Sequence, residues 1–166
     1  MIERPVMTAS AAAFDDTMQV ALDEARQGAS EGEIPIGAVV LGGAGEMLAR
    51  QHNRREALSD ATAHAEVLAL REAAAHLGSW RLDECTLVVT LEPCPMCAGA
   101  AVMSRVGRLV FGAWNDEYGA AGSRWDLVRD RRLPHRTEVI TGVRTAECGA
   151  IVREFLMSRR PAREDR

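Results

Sequence analysis

His64-Ala65-Glu66 and Pro93-Cys94-Pro95-Met96-Cys97 are the two segments of this chain whose residue types can do chemistry together. An imidazole and two thiolates suit zinc, and a site with three protein ligands keeps a fourth position for water. Water on such an ion ionises near neutral pH, so a carboxylate beside it, here Glu66, has a proton to take and to deliver. Cys94 and Cys97 are three apart, which on a helix sets both sulfurs on one face. Pro95 suits the first helical position, where its missing N–H costs nothing. The apolar run Leu87-Val88-Val89 ends just upstream, so the cysteines are expected where a strand turns into a helix. A helix N-terminus favours negative charge and readies both sulfurs for metal. His64 and Glu66, two apart, would lie about 200° around a helix. Histidine as ligand, with glutamate reaching the water from another side, fits that spacing better than two ligands.

Each motif alone carries little. A His-x-Glu is common, and a Cys-x-x-Cys after a strand equally fits a thioredoxin-like redox pair. The redox reading leaves His64 and Glu66 unused. A zinc-stabilised RNA-binding module without catalysis is a further reading, since a metal alone can supply folding energy. Together and in this order, the segments match the signature of zinc-dependent nucleobase deaminases.

From about Phe14 to Arg160 the chain resembles the bacterial tRNA adenosine deaminase (TadA) family. The resemblance rests on Glu33-Ile34-Pro35-Ile36-Gly37-Ala38-Val39, Thr62-Ala63-His64-Ala65-Glu66 and Thr90 through Ala100. Ser104-Arg105-Val106-Gly107-Arg108, Phe111-Gly112-Ala113 and Gly119-Ala120-Ala121-Gly122-Ser123 extend it. The zinc signature is shared with deaminases of free bases and nucleosides; the Gly-Ala-Ala-Gly-Ser loop and a C-terminal helix ending in Arg159-Arg160 point to the tRNA family. The resemblance implies one zinc ion held by His64, Cys94 and Cys97, proton transfer by Glu66, and a hydrogen bond from Asn53 to a flipped nucleoside. It implies hydrolytic conversion of adenosine to inosine at the wobble position of a tRNA anticodon loop, by a homodimer. Unstacking a base from a loop is less costly than from a duplex. The alternative is a guanine, cytosine or related free-base or nucleoside deaminase with the same zinc chemistry. Two departures stand out: Asn115 replaces a usual aspartate, and Phe155-Leu156 replaces a frequent pair of aromatics. Trp114 is open to base stacking, to packing or to a dimer contact.

The implied architecture is a three-layer α/β/α cytidine-deaminase-like fold with a central mixed five-stranded sheet. The zinc-binding segments would start adjacent central helices. Hydrophobic periodicity gives the elements independently. Helices are expected over Phe14–Gln27, Ala61–Leu77 (capped by Asp60 or Thr62), Pro95–Ser104 and Ala146–Arg159. Strands are expected over Ile36–Leu41, Glu46–Ala49, Thr86–Leu91, Arg108–Phe111 and Glu138–Thr141. The Gly42–Gly45 cluster lacks the lysine of a phosphate loop and reads as a hairpin turn. The expected organisation is one deaminase domain over residues 14–160, with tails at 1–13 and 161–166.

A chain of 166 residues with 47% hydrophobic and 27% charged residues reads as one globular domain. No apolar run approaches a membrane span, and the first residues lack the pattern of a signal peptide. The cytoplasm is the expected compartment, with Cys85 and Cys148 as free, buried thiols. The net charge of −4 hides an asymmetry. Residues 1–100 carry 7 basic and 15 acidic groups, whereas residues 101–166 carry 13 and 9. Every basic residue is Arg, which forms bidentate phosphate contacts and stacks on bases. His76 is expected to close a helix, His135 to sit on a turn, Glu92 to orient the cysteine turn, and Met96 to pack.

Overall fold

The computed structural model describes residues 11–159. Its elements are a 3-10 turn at Ala11–Phe14, α1 (Asp15–Ser30), β1 (Gly37–Leu41), β2 (Met47–His52), the single turn α2 (Arg55–Leu58), α3 (Ala65–Leu77), β3 (Thr86–Leu91), α4 (Pro95–Met103), β4 (Arg108–Ala113), β5 (Glu138–Thr141) and α5 (Thr145–Ser158). The expected N-terminal tail overlaps the 3-10 turn at Ala11–Ala13. The rest of that tail and the one at 161–166 lie outside the described residues.

The five strands form one sheet in the order β2-β1-β3-β4-β5. β1 pairs antiparallel with β2 and β3, and β3, β4 and β5 run parallel. The sheet is therefore mixed, as expected for the fold. Side-chain alternation along the strands sorts the core into two halves. Leu87, Val89, Leu109, Phe111, Ala38 and Val40 face α3 and α4. Val88, Val110 and Val39 face α1 and the start of α5. Both faces are covered, so the central strands are apolar on both sides. α1 passes so close to β1 that a Cβ on Gly37 would lie 1.8 Å from the Ala21 carbonyl oxygen. The Gly42–Gly45 cluster closes the β1–β2 hairpin, with Gly45 at φ +86° and the Gly42 N–H donating to the Glu46 carbonyl.

The helix expected from Ala61 begins four residues later. Asp60 accepts from the N–H and the hydroxyl of Thr62, so residues 60–64 form turns that compete with helix. Neither Asp60 nor Thr62 caps α3; His64 occupies the N-cap in extended backbone. β2 runs to His52, three residues beyond its expected end, because residues 50–52 continue the antiparallel pairing with β1; His52 also bonds Glu24 of α1 and Glu31 just after it. Cys85 and Cys148 are both buried and free. They pack on opposite faces of the sheet, which rules out a disulfide between them. Among the described residues no helix is long and apolar enough to cross a membrane.

Candidate active site

α3 and α4 share one face of the sheet, and each starts with a metal-ligand residue type at its N-cap. His64 precedes α3. Cys94 precedes α4 in extended backbone at φ −70°, ψ 171°, and Pro95 takes the first helical position as its chemistry predicts. Cys97 lies in the first turn of α4. The turn from β3 into α4 and the approach of α3 bring His64 Nδ1 to 3.7 Å from Cys94 Sγ and 3.5 Å from Cys97 Sγ. A tetrahedral zinc with ordinary Zn–N and Zn–S bonds separates its nitrogen and sulfur ligands by about 3.6 Å. The donor set and its spacing therefore fit zinc. All three ligand atoms lie within 4.8 Å of one another, and no other such group of His, Cys, Asp or Glu occurs among the described residues.

The electrostatics agree. The Cys94 thiol is held down to about 4, first by the hydrogen bond from Cys97 and then by that from His64, against the cost of burial. Cys97 is pushed up by donating to Cys94 and by burial. In the metal-free pair one sulfur holds the proton and the other the charge; zinc replaces that proton. His64 is raised by its hydrogen bond with Cys94, against burial.

Glu66 lies in the first turn of α3 and is 3% exposed. Its Oε2 is the one buried side-chain oxygen or nitrogen among the described residues with no hydrogen-bond partner. Burial pushes its pKa up to about 7; the Cys94 sulfur adds to the rise and His64 opposes it. Asn53, immediately after β2, is 2% exposed and accepts the Ala65 N–H through Oδ1 at 3.0 Å. All five residues expected at the site are thus assembled at the two helix starts and the end of β2.

A family model, the cytidine and deoxycytidylate deaminase zinc-binding region, matches residues 13–113. The chain is 48% identical over 138 residues to a tRNA-specific adenosine deaminase of Bacillus subtilis (strain 168), across 83% of this chain and 85% of that one. This chain belongs to the tRNA-specific adenosine deaminase family. A solved structure from a study of A-to-I editing by tRNA:A34 deaminases at the wobble position superposes with a TM-score of 0.78 at 40% identity, covering 81% of this chain and 96% of that one. A guanine deaminase from Nitrosomonas europaea superposes with a TM-score of 0.75 at 26% identity, covering 92% and 86%.

Against the tRNA-specific adenosine deaminase pattern, both departures take on a structural account. Asn115 Oδ1 accepts from the N–H groups of Glu117 and Tyr118, a turn-forming role that an aspartate fills equally. Trp114 packs edge-on against Phe111 at 4.9 Å between ring centroids and is half-buried. It belongs to the core rim. Phe155 and Leu156 line a cleft of about 210 Å³ together with Asn53, Arg55 and Arg159. His76 closes α3, and His135 Nε2 bonds the Val106 carbonyl at 2.7 Å.

Two buried carboxyls have roles that spacing along the chain does not signal. Glu92 is 1% exposed and accepts three backbone N–H groups, from Asn115, Ala121 and Ser123, each at 3.0 Å. It organises the 115–123 loop, where an orienting bond to the cysteine turn was expected. The Ala120 N–H donates to the Pro93 carbonyl, which ties that loop to the Cys94 turn. A Cβ on Gly119 would come within 2.2 Å of the Glu92 carboxyl, so glycine there leaves the room it needs. Glu33, 2% exposed, accepts the Ala57 N–H at 2.9 Å and so caps α2 from a distance. An acidic residue beside apolar ones is the only sequence cue for either, and it is shared with many surface positions.

Proposed function

We propose that this protein deaminates adenosine to inosine hydrolytically at the wobble position of a tRNA anticodon loop. The observation that carries the reading is the unpartnered, buried Oε2 of Glu66 beside a cluster of one imidazole and two sulfurs spaced for zinc. The 48% identity to a tRNA-specific adenosine deaminase across 83% of this chain supports the substrate class. Residues 14–160 would form the catalytic domain.

Zinc held by His64 Nδ1, Cys94 Sγ and Cys97 Sγ would supply the Lewis acidity that brings the pKa of a water down to about 7. Glu66 Oε2 takes a proton from the attacking water and delivers it to ring nitrogen N1 of the purine. Attack at C6 then yields a tetrahedral carbon bearing a hydroxyl; Glu66 passes that hydroxyl's proton to the amino group, the C6–N bond breaks, and ammonia leaves as the C6 carbonyl forms. One water is consumed, and one ammonia and one inosine form. A carboxyl poised near 7 suits both the taking and the giving of protons at neutral pH. Burial of Glu66 and Cys97 keeps bulk water away from these transfers and strengthens them. Asn53 would hydrogen-bond the flipped nucleoside.

Exposed arginines support an RNA partner: Arg124, Arg131, Arg132 and Arg136 all lie on the segment that follows the Glu92-anchored loop. α4 supports homodimerisation. Its solvent side carries Pro95, Met96, Gly99 and Met103, the last 64% exposed, so it is apolar nearly all round. A helix of that kind is normally covered. The cytoplasm, where tRNA is at hand and thiols stay reduced, is the proposed compartment.

The test sets anticodon stem-loops bearing adenosine against guanine, cytosine and free adenosine, with ammonia release as readout. Turnover on the RNA alone is the expected result. Turnover on a free base or nucleoside without RNA activity would favour the guanine-deaminase-like alternative.

A further inference from the structure

We propose that Asn53 is a positioning residue that fixes His64 and Glu66 relative to each other through the backbone N–H of Ala65, the residue between them. The first N–H groups of a helix need acceptors outside it. The N-cap side chain normally provides one. At α3 it does not: His64 is the N-cap, its imidazole faces the two sulfurs, and it makes no cap hydrogen bond. Asn53 supplies the missing acceptor from 12 residues upstream, through Oδ1 at 3.0 Å from the Ala65 nitrogen.

The anchor is itself held. The Asn53 N–H donates to the Ile36 carbonyl, and the next N–H, that of Arg54, donates to the Ala63 carbonyl. Asn53 and Arg54 therefore grip the chain on both sides of His64, at Ala63 and at Ala65. A shift of the segment by a fraction of an ångström would move the imidazole and the Glu66 carboxyl together, since a single residue separates them.

The bond also sets which end of the Asn53 amide is presented to a ligand. Ala65 N–H only donates, so the amide must turn its oxygen toward α3 and its NH2 away from it. Asn53 lines the cleft of about 210 Å³ that Glu33, Ile34 and Phe155 share. A ligand atom that meets the Asn53 NH2 group is then an acceptor, such as an unprotonated ring nitrogen or a ribose oxygen. This last step rests on the deaminase reading; the positioning role does not.

The experiment compares zinc-loaded wild-type protein with Asn53→Asp, which keeps an acceptor for Ala65 and lacks the donor, and Asn53→Ala, which lacks both. Amide exchange at Ala65 and zinc release to a chelator are read without substrate, and kcat and KM are read on the stem-loop. Asn53→Asp is expected to keep Ala65 protected and zinc release within about twofold of wild type, while KM rises about tenfold. Asn53→Ala is expected to expose Ala65 to exchange at least roughly tenfold faster, release zinc faster and lose kcat as well. Protection and zinc retention unchanged in Asn53→Ala, or lost equally in Asn53→Asp, would overturn the proposal. Should Asn53→Ala fail to fold, Asn53→Asp decides alone: Ala65 protection kept supports the positioning role, and its loss refutes it. Absence of turnover on any RNA, with the exchange and zinc results as expected, would fault the substrate assignment alone.

Discussion

Glu66 and Glu92 are both buried carboxyls, 3% and 1% exposed, and they differ in how their oxygens are satisfied. The oxygens of Glu92 accept three backbone N–H groups, whereas Oε2 of Glu66 accepts none. A buried oxygen left without a partner carries a desolvation cost of about 1–3 kcal/mol, which folding alone gives no reason to retain. The proposed proton transfer does. Glu66→Gln is expected to keep zinc, measured by metal analysis, and to lose about 10²–10⁴ in kcat. Loss of zinc in that variant would make Glu66 a ligand. The sulfurs predict a pH effect on metal binding. Cys94, at about 4, is already ionised at neutral pH, whereas the raised Cys97 still holds its proton. Zinc must displace that proton, so affinity rises with pH. The apparent Kd, measured with a competing chelator, is expected to fall about tenfold per pH unit from 7 to 8. A flat profile would show that Cys97 is not a ligand. At this scale the sequence was most legible: ligand types and their spacing suffice to name His64, Cys94 and Cys97. That Asn53 binds the α3 backbone was not, because a bond across 12 residues leaves no periodic trace.

The strands and helices were legible wherever burial dictated them. Thr86–Leu91 and Glu138–Thr141 form strands with the bounds expected for them. Pro95 marks the first residue of α4, as its missing N–H requires. Boundaries failed where side chains bond backbone. Asp60 diverts residues 60–64 into turns, so His64 and Glu66 do not share one helix. His64 stands just outside α3, and that extended residue is what turns its ring toward the cysteines. The single turn α2 carried no signal at all, since its cap comes from Glu33. Loops held by distant carboxyls are vulnerable in a definable way. Glu92→Ala would strand three N–H groups and leave a void beside Gly119. It is expected to cost at least about 2 kcal/mol in urea unfolding while leaving the zinc ligands in place. An unchanged unfolding midpoint would mean that the 115–123 loop holds its shape without Glu92.

As a whole the molecule is a sheet with two differently used faces. α1 and α5 cover one side and bury Cys148 against Gly112, where an added Cβ would come within 2.4 Å of the sulfur. The other side carries α3 and α4, whose N-terminal ends meet over the end of β3. Positive helix ends converge there on two sulfurs and a carboxyl, the charges such ends favour. The solvent face of α4, with Met96 and Met103, is an apolar helical surface adjoining this site. A Cβ on Gly99 meets nothing within 4 Å, so a bulky charge fits there without disturbing the fold. Gly99→Arg is expected to leave zinc content and unfolding unchanged and to convert the proposed dimer into a monomer in sedimentation equilibrium. A dimer that survives the substitution would place the contact elsewhere. The charge asymmetry between the two parts of the chain was visible from composition; the fold shows that Arg124, Arg131 and Arg136 are exposed while Val128 between them is buried in the core.

The most direct test of the account uses the zinc-loaded protein, an anticodon stem-loop with adenosine at the wobble position, and water enriched in heavy oxygen. Digestion of the product and mass spectrometry of its nucleosides should show inosine carrying the heavy isotope at that position alone, and none with Glu66→Gln. Adenosine recovered intact, or inosine without the label, would contradict hydrolysis at this site.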